Sequence, residues 1–282
     1  MYVIKASGAK ELFRGDKLAA TLKRVGLAKA KIEEVVNKVK LSLSRKPTSH
    51  EVIERALNYL QKTDVAAAAR YNLKRAIMQL GPTGFPFEQY IARLLTAYGY
   101  DVVTNVQANG FCVHHELDLV AKKDGRHIMI ECKFHNSPGL RSDVKTALYT
   151  WARFLDIKKA WEQEHGHTKE FHEAWLVTNT KCTADAIQYA RCVGLHILSW
   201  RHPEENSLEK LIDQKKLYPI TVLLSGNQML FSKLIRAGFV LVADLAKVNL
   251  NELSRRTGLG GKRLYGIHQE AQALIKDSSP ST

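Results

Sequence analysis

Cysteine is scarce in this chain. Four occur in 282 residues, at 112, 132, 182 and 192, with no C-x-x-C pair and no zinc spacing. That pattern excludes a disulfide framework and a zinc ribbon, and reads as free thiols of a reducing compartment. No apolar run approaches the roughly 20 residues that span a bilayer, and the N-terminus has no signal-peptide pattern. A soluble, cytoplasmic protein is the expectation. His114-His115 has neither a nearby cysteine nor a helical partner, so it reads as surface histidine rather than a metal ligand. Acid is also in deficit, with Asp+Glu 28 against Lys+Arg 42 and a net charge of +14. Such a balance points to a polyanionic partner. The excess lies before position 81, where 17 basic residues face 7 acidic ones. Residues 81–202, with 14 against 13, are nearly neutral.

That neutral stretch contains ELDLVAKKDGRHIMIECKF, residues 116–134. Asp124-Gly125 is a strong two-residue hairpin signal. With that loop, Lys123 pairs with Arg126, Val120 faces Met129, Asp118 faces Glu131 and Glu116 faces Lys133. Alternation puts Leu117, Leu119, Ala121, Ile128, Ile130 and Cys132 on one apolar face. Glu116, Asp118, Glu131 and Lys133 collect on the other. Opposed like charges destabilise a strand pair. A divalent cation would remove the conflict, because Mg²⁺ is held through one or two carboxylates. A solvated face on which Lys133 neutralises a neighbour is the alternative.

LGPTGFPFE (80–88) is the clearest boundary. Before it the pattern is a Ser-Gly hairpin and four helices. Asp16 is expected to cap the first. The second carries Ile32, Val35, Val36, Val39 and Leu43. The third starts at Thr48, with Glu51 completing a capping box, and buries Val52, Ile53, Ala56, Leu57 and Leu60. The fourth runs from Asp64 to about Leu80. After the boundary, Pro86 opens a helix with Glu88 in its first turn, where a carboxylate suits the helix dipole. A strand, the hairpin and a helix over 141–161 follow, the helix burying Val144, Leu148, Trp151 and Leu155. Then come a strand, a helix begun by Thr183 and stopped by Gly194, and a strand. This βαβ unit extends a mixed sheet.

Residues 82–202 resemble the PD-(D/E)XK nucleases of the Mrr-like restriction branch, through FEQYIARLLTAYGYDV, the hairpin and WLVTNTKCTADAIQYA. The fold implied is α/β, a restriction-endonuclease-like mixed sheet flanked by helices. The D…ExK motif falls on Asp118, Glu131 and Lys133. The resemblance implies that Asp118, Glu131 and the Cys132 carbonyl hold Mg²⁺ or Mn²⁺. It further implies that Lys133 helps deprotonate or orient the attacking water and that Glu88 is the helix-borne acid beside the metal. Glu116 is the expected partner of Lys133, and His135 is expected to face substrate.

Residues 1–80 resemble an ATP-cone, the nucleotide-sensing module of ribonucleotide reductases, through VIKASGAKELFRGDKL. The resemblance implies ATP or dATP as ligand, with Lys5 and Lys17 on phosphates and Thr48 on the nucleotide. Many cones follow the lysine with arginine and aspartate, whereas this chain has Ala6 and Ser7. A cone that keeps only a basic surface for DNA is the alternative. Residues 203–282 begin with the polar linker HPEENS and form a small helical region. LSRRTGLGGKRLYGIHQEAQALI within it resembles a helix-hairpin-helix. Its turn, with Gly258, Gly260 and Gly261, would present backbone N–H groups to a DNA phosphate, flanked by Arg255, Arg256, Lys262 and Arg263.

The functional expectation is a metal-dependent endonuclease of double-stranded DNA that restricts foreign or modified DNA, with a homodimer suited to paired cuts. Two rivals stand beside it. One is a structure-specific repair or recombination nuclease. The other is a nucleotide-responsive DNA-binding regulator with an inactive nuclease core.

Overall fold

A computed structural model of the chain describes residues 2–5, 8–137, 139–165 and 171–277. The N-terminal part begins with a hairpin of β1 (Tyr2–Ile4) and β2 (Lys10–Leu12), turned at Gly8 with φ of 81°. Ala6 and Ser7 lie outside the described residues. Helices α1 (Gly15–Arg24), α2 (Lys29–Ser42) and α3 (Ser49–Thr63) follow, then α4 (Val65–Met78). Leu18, Leu22, Ile32, Val35, Val39, Ala56 and Leu60 close a core of their own with Ala67 and Ala68.

Local capping differs from expectation in two places. Asp16 does not cap α1. It lies inside the first turn and bonds Arg14, the residue at the cap position. Thr48 does cap α3, its hydroxyl accepting from the Glu51 N–H at 3.1 Å. The Glu51 carboxylate, however, accepts from the Ser44 N–H and hydroxyl at 2.9 and 2.8 Å, so the capping box is only half formed. Ile53, expected in the core, is 40% exposed.

The second part is built on a five-stranded sheet ordered β3 (Asp101–Asn109), β4 (His114–Lys123), β5 (Arg126–Lys133), β7 (Phe171–Thr178), β9 (His196–Leu198). The first three are antiparallel and the last two join in parallel. A short parallel pair, β6 (Arg141–Ser142) with β8 (Lys181–Cys182), sits beside it. Helix α5 (Phe85–Ala97) packs on one face. Helices α6 (Val144–His165) and α7 (Ala184–Val193) pack on the other. As expected, Thr183 caps α7 and Gly194 ends it with φ of 83°.

The C-terminal region holds α8 (Leu208–Gln214), a 3-10 turn (Ile220–Val222), α9 (Gln228–Arg236), α10 (Val242–Lys247), α11 (Leu250–Thr257) and α12 (Gly261–Asp277). It is not a detached tail. Leu234, Val242, Leu245, Leu253, Ile267 and Ala271 share one continuous core with α5, with the inner face of β4 and β5, and with Leu73, Ala76, Ile77 and Leu80. Helix α4 thus belongs to two cores at once, its first turns to the N-terminal bundle and its last to the sheet. Among the described residues no helix is long and apolar enough to cross a membrane.

Candidate active site

The hairpin that carries the acids forms as its sequence dictates. Asp124 and Gly125 have φ of 51° and 79°, the two positive values a type I′ turn requires. Lys123 pairs with Arg126, and the ladder runs through Val120–Met129 to Leu119–Ile130. There the paired register ends. Across β3 the pairs Thr104–Leu119 and Val106–Leu117 flank a gap at Asn105, whose φ is 53°. Asp118 therefore occupies a break in the pairing on both sides.

Two expectations change with it. Asp118 and Glu131 are not a ladder pair. The strands part, and an Asp118 carboxylate oxygen accepts from the Cys132 N–H at 2.7 Å, replacing a main-chain partner. Strict alternation also fails below the break. Leu119, Ala121, Ile128, Ile130 and Cys132 face α5, whereas Leu117 packs with Met129, Phe154 and Ile157 under α6.

The acids gather where the strands part, at the carboxyl end of β5. Glu131 projects to the α6 side, where Arg153 Nη1 bonds its Oε2. Glu88, in the first turn of α5, enters from the other layer. It folds back over the helix start, since a Cβ on Gly84 would lie 2.9 Å from Glu88 Oε1. Burial pushes the Glu131 carboxyl up to about 7, and the charge of Asp118 adds to this while Arg153 opposes it. Burial likewise pushes Glu88 up to about 7, with Asp118 and then Glu116 adding to it. Asp118 is also raised by burial, partly offset by the Cys132 N–H and Arg153. Three acids held in reach of one another's charge resist ionising together. A cation would relieve that.

Asp118, Glu131 and the Cys132 carbonyl are oxygen donors of the kind that Mg²⁺ or Mn²⁺ takes. Among the described residues no three His, Cys, Asp or Glu side chains form a ready cage. Mg²⁺ does not need one, because it keeps several waters. Lys133 is exposed at the end of β5, in register with Thr178 of β7. Among the described residues no ion pair joins it to Glu116. Instead the Glu116 carbonyl accepts from Arg153 Nη2. His135, expected to face substrate, is half-buried and held from two sides. Its Nε2 lies 3.0 Å from the Ser142 hydroxyl, and its backbone is bracketed by the Asn179 amide at 2.8 and 2.9 Å. In the histidine pair, His114 Nδ1 meets Asn109 Oδ1 and His115 Nε2 meets Asp156 Oδ2, each at 2.8 Å.

Comparison with known proteins bears on the domain that carries these residues. Residues 82–201 match a family described as restriction endonuclease, Mrr_cat, and residues 218–275 match one described as AF1548-like, C-terminal. An uncharacterized protein of Archaeoglobus fulgidus is 42% identical over 185 residues, 66% of this chain and 99% of that protein. The chain belongs to the AF1548-like family. A crystal structure of a protein of unknown function, AF1548, is 39% identical, covers 69% of this chain and 99% of its own, and superposes with a TM-score of 0.60. In this AF1548-like chain, Asp118, Glu131, Lys133 and Glu88 all fall inside the restriction endonuclease domain, which points to a nuclease.

The remaining predicted residues lie apart from the acids. In the N-terminal part, Lys5 and Lys17 both close on Glu11, at 2.5 Å for Lys5, and hold its carboxyl down to about 2, chiefly through Lys17. Thr48 caps α3 with its hydroxyl. In the AF1548-like C-terminal domain, α11 ends at Gly258 with φ of 64°, and α12 starts at Gly261 with φ of 76°. Gly258, Gly260, Arg255, Lys262 and Arg263 are exposed on that turn. Arg255 pairs with Glu252 at 2.8 Å. Arg256, exposed as well, donates to the Ala237 carbonyl at 2.6 Å and lies 4.2 Å from the Phe239 ring centre. Arg153 went unforeseen. Its signal was a lone arginine on the stripe Thr150, Arg153, Ile157, which the fold buries.

Proposed function

We propose that this protein is a divalent-metal-dependent DNA endonuclease whose site is Asp118, Glu131, Lys133 and Glu88. The observation that carries the reading is the opened end of the hairpin. There Asp118 leaves the ladder to bond the Cys132 N–H and stands with Glu131 as a half-buried acid pair beside an exposed lysine. In the restriction endonuclease domain that arrangement has a use, whereas a purely structural strand pair has no cause to open there.

Asp118, Glu131 and the Cys132 carbonyl would hold the cation. When bound, it supplies polarisation of the scissile phosphate and neutralises charge that builds at the phosphorus. Lys133 helps deprotonate or orient the attacking water. Glu88, with a carboxyl pushed up to about 7, is matched to take or give a proton near neutral pH. The net charge of +14 supplies the attraction to duplex DNA. The N-terminal part, where Lys5 and Lys17 share Glu11, is proposed to grip polyphosphate, either a nucleoside triphosphate or the DNA backbone, with Glu11 giving way. The turn from Gly258 to Lys262 is proposed to contact DNA phosphate.

Restriction of foreign or modified DNA and cleavage of branched intermediates are both served by this site, and a homodimer would supply paired cuts. Incubation with methylated and unmethylated plasmid, and with flapped and four-way junction oligonucleotides, separates the two. Adding ATP to parallel reactions tests the N-terminal part. Preference for methylated plasmid supports restriction, and preference for junctions supports repair. Cleavage of none of them with Mg²⁺ or Mn²⁺ overturns the enzyme reading and favours a DNA-binding regulator.

A further inference from the structure

Arg153 stands out among the side chains around the acids. It is 9% exposed, and its guanidinium reaches both strands of the opened hairpin. Nη1 bonds Glu131 Oε2 on β5, and Nη2 bonds the Glu116 carbonyl on β4. Nε is buried without a partner, and the Tyr149 ring centre lies 5.3 Å from Cζ. The two strands it touches have lost their mutual pairing at this level.

A buried guanidinium is always charged, so leaving it unpaired is costly. Without Glu131, one of its N–H groups would lose its acceptor. The second, on a backbone carbonyl, ties the group to β4 whatever Glu131 does. Arg153 is therefore built to stay when Glu131 turns to a cation. Its bond to Oε2 leaves Oε1 unclaimed by it. We infer that Arg153 is a positioning residue of the metal site, which holds Glu131 by one oxygen so that the other faces the cation. The same guanidinium clamps the parted strands through Glu116. Lysine keeps the charge but lacks the planar fork that serves two acceptors at fixed angles.

This inference rests on the nuclease reading, and its test separates the two. Mn²⁺ is titrated into the full-length parent and Arg153→Lys without DNA, by calorimetry and by melting temperature. The half-saturating Mn²⁺ concentration should rise about 10- to 100-fold in the variant, the usual effect of removing a group that orients a metal ligand. Cleavage at low Mn²⁺ should fall in step and recover in part at high Mn²⁺. A merely structural arginine would lower the melting temperature of the metal-free variant and leave the Mn²⁺ midpoint where it was. An unmoved midpoint overturns the inference. So does a lower one, which would make Arg153 a competitor of the cation. If the parent neither binds Mn²⁺ nor cleaves DNA, the nuclease reading itself has failed. Should Arg153→Lys not fold, a crystal structure of the parent grown with Mn²⁺ decides the matter. Glu131 bridging metal and Arg153 is the expected result, and a guanidinium swung away from Glu131 contradicts it.

Discussion

Asp118 of one hairpin strand accepts the Cys132 N–H of the other at 2.7 Å, at the level where their main-chain ladder has already stopped. The bond keeps an opened hairpin from leaving a donor unsatisfied, and it holds one acid beside Glu131. Replacing Asp118 with Asn and with Ala separates these two duties. Asn keeps an oxygen for the Cys132 N–H and removes a charge that burial disfavours. Melting of the metal-free Asn variant should match or slightly exceed that of the parent. Ala leaves the donor bare and should cost about 1–3 kcal/mol. Both should lose the thermal stabilisation that Mn²⁺ gives the parent. Equal loss of metal-free stability in Asn and Ala would show that charge, not the bond, is what Asp118 contributes.

Lys133 should behave in the opposite way. It is exposed and makes no ion pair with Glu116, so Lys133→Ala should leave stability within about 0.5 kcal/mol of the parent. The Mn²⁺ midpoint should hold or fall, because a cation beside the acids is gone. Single-turnover cleavage should drop by a factor of roughly 10² to 10⁴, the range for a lost proton-handling group. Retained cleavage would assign the water to another residue.

Asp156 anchors the β3–β4 loop on α6. Its carboxylate meets His115 Nε2 at 2.8 Å and accepts from the Cys112 N–H at 2.8 Å, and these bonds hold it down to about 2, His115 first. A folded value below the unfolded one means stabilisation that is full above about pH 4 and fades as pH falls toward 2. Asp156→Asn should melt lower than the parent near neutral pH, with the gap closing on acidification. Gly110→Ala should disturb the same anchor, since its Cβ would stand 2.0 Å from Asp156 Oδ2. A gap that is constant with pH would show that the loop does not use the charge.

Lys74 joins α4 to the loop after β7, donating to the Asn179 carbonyl at 2.5 Å and lying 4.4 Å from the Trp200 ring centre. Burial pushes its ammonium down to about 8. The unfolded chain keeps that proton to a higher pH than the folded one, so stability gains as pH rises from about 8 to about 10.5. Compared with Lys74→Met, the parent should gain on the order of 1 to 3 kcal/mol over that window, one pKa unit being worth about 1.4 kcal/mol. Urea melts of both proteins at the two ends of the window measure it. A gap that stays constant across the window would place Lys74 in water, and a parent that loses ground would mean that the fold favours its ammonium.

The hairpin was legible because its turn and its period agree. Asp124-Gly125 set the register, and Leu119, Ala121, Ile128 and Ile130 set the face. Alternation says nothing of where pairing stops, so the opening at Asp118 and the turning of Leu117 toward α6 could not be read. Helix α6 misled for a related reason. It carries two apolar stripes, and the one expected inside leaves Leu148 and Leu155 at 45% and 49% exposed. The sheet instead takes Ala147, Phe154 and Ile157, which brings Arg153 to Glu131. The restriction-endonuclease-like core was readable from element order. That α4 and the C-terminal helices share its core was not, because the linker between regions is polar and the shared apolar faces lie far apart in sequence.

The central claim is that a cation held by Asp118 and Glu131 drives cleavage of DNA. Nicking of supercoiled plasmid by the parent and by Asp118→Asn, each with Mn²⁺ and with EDTA, tests it most directly. Open-circular and linear products are expected from the parent with Mn²⁺ alone. Loss of several kcal/mol of charge stabilisation should slow the variant by a factor on the order of 10³. Cleavage by the parent in EDTA, or cleavage by Asp118→Asn at the parent's rate, would contradict it.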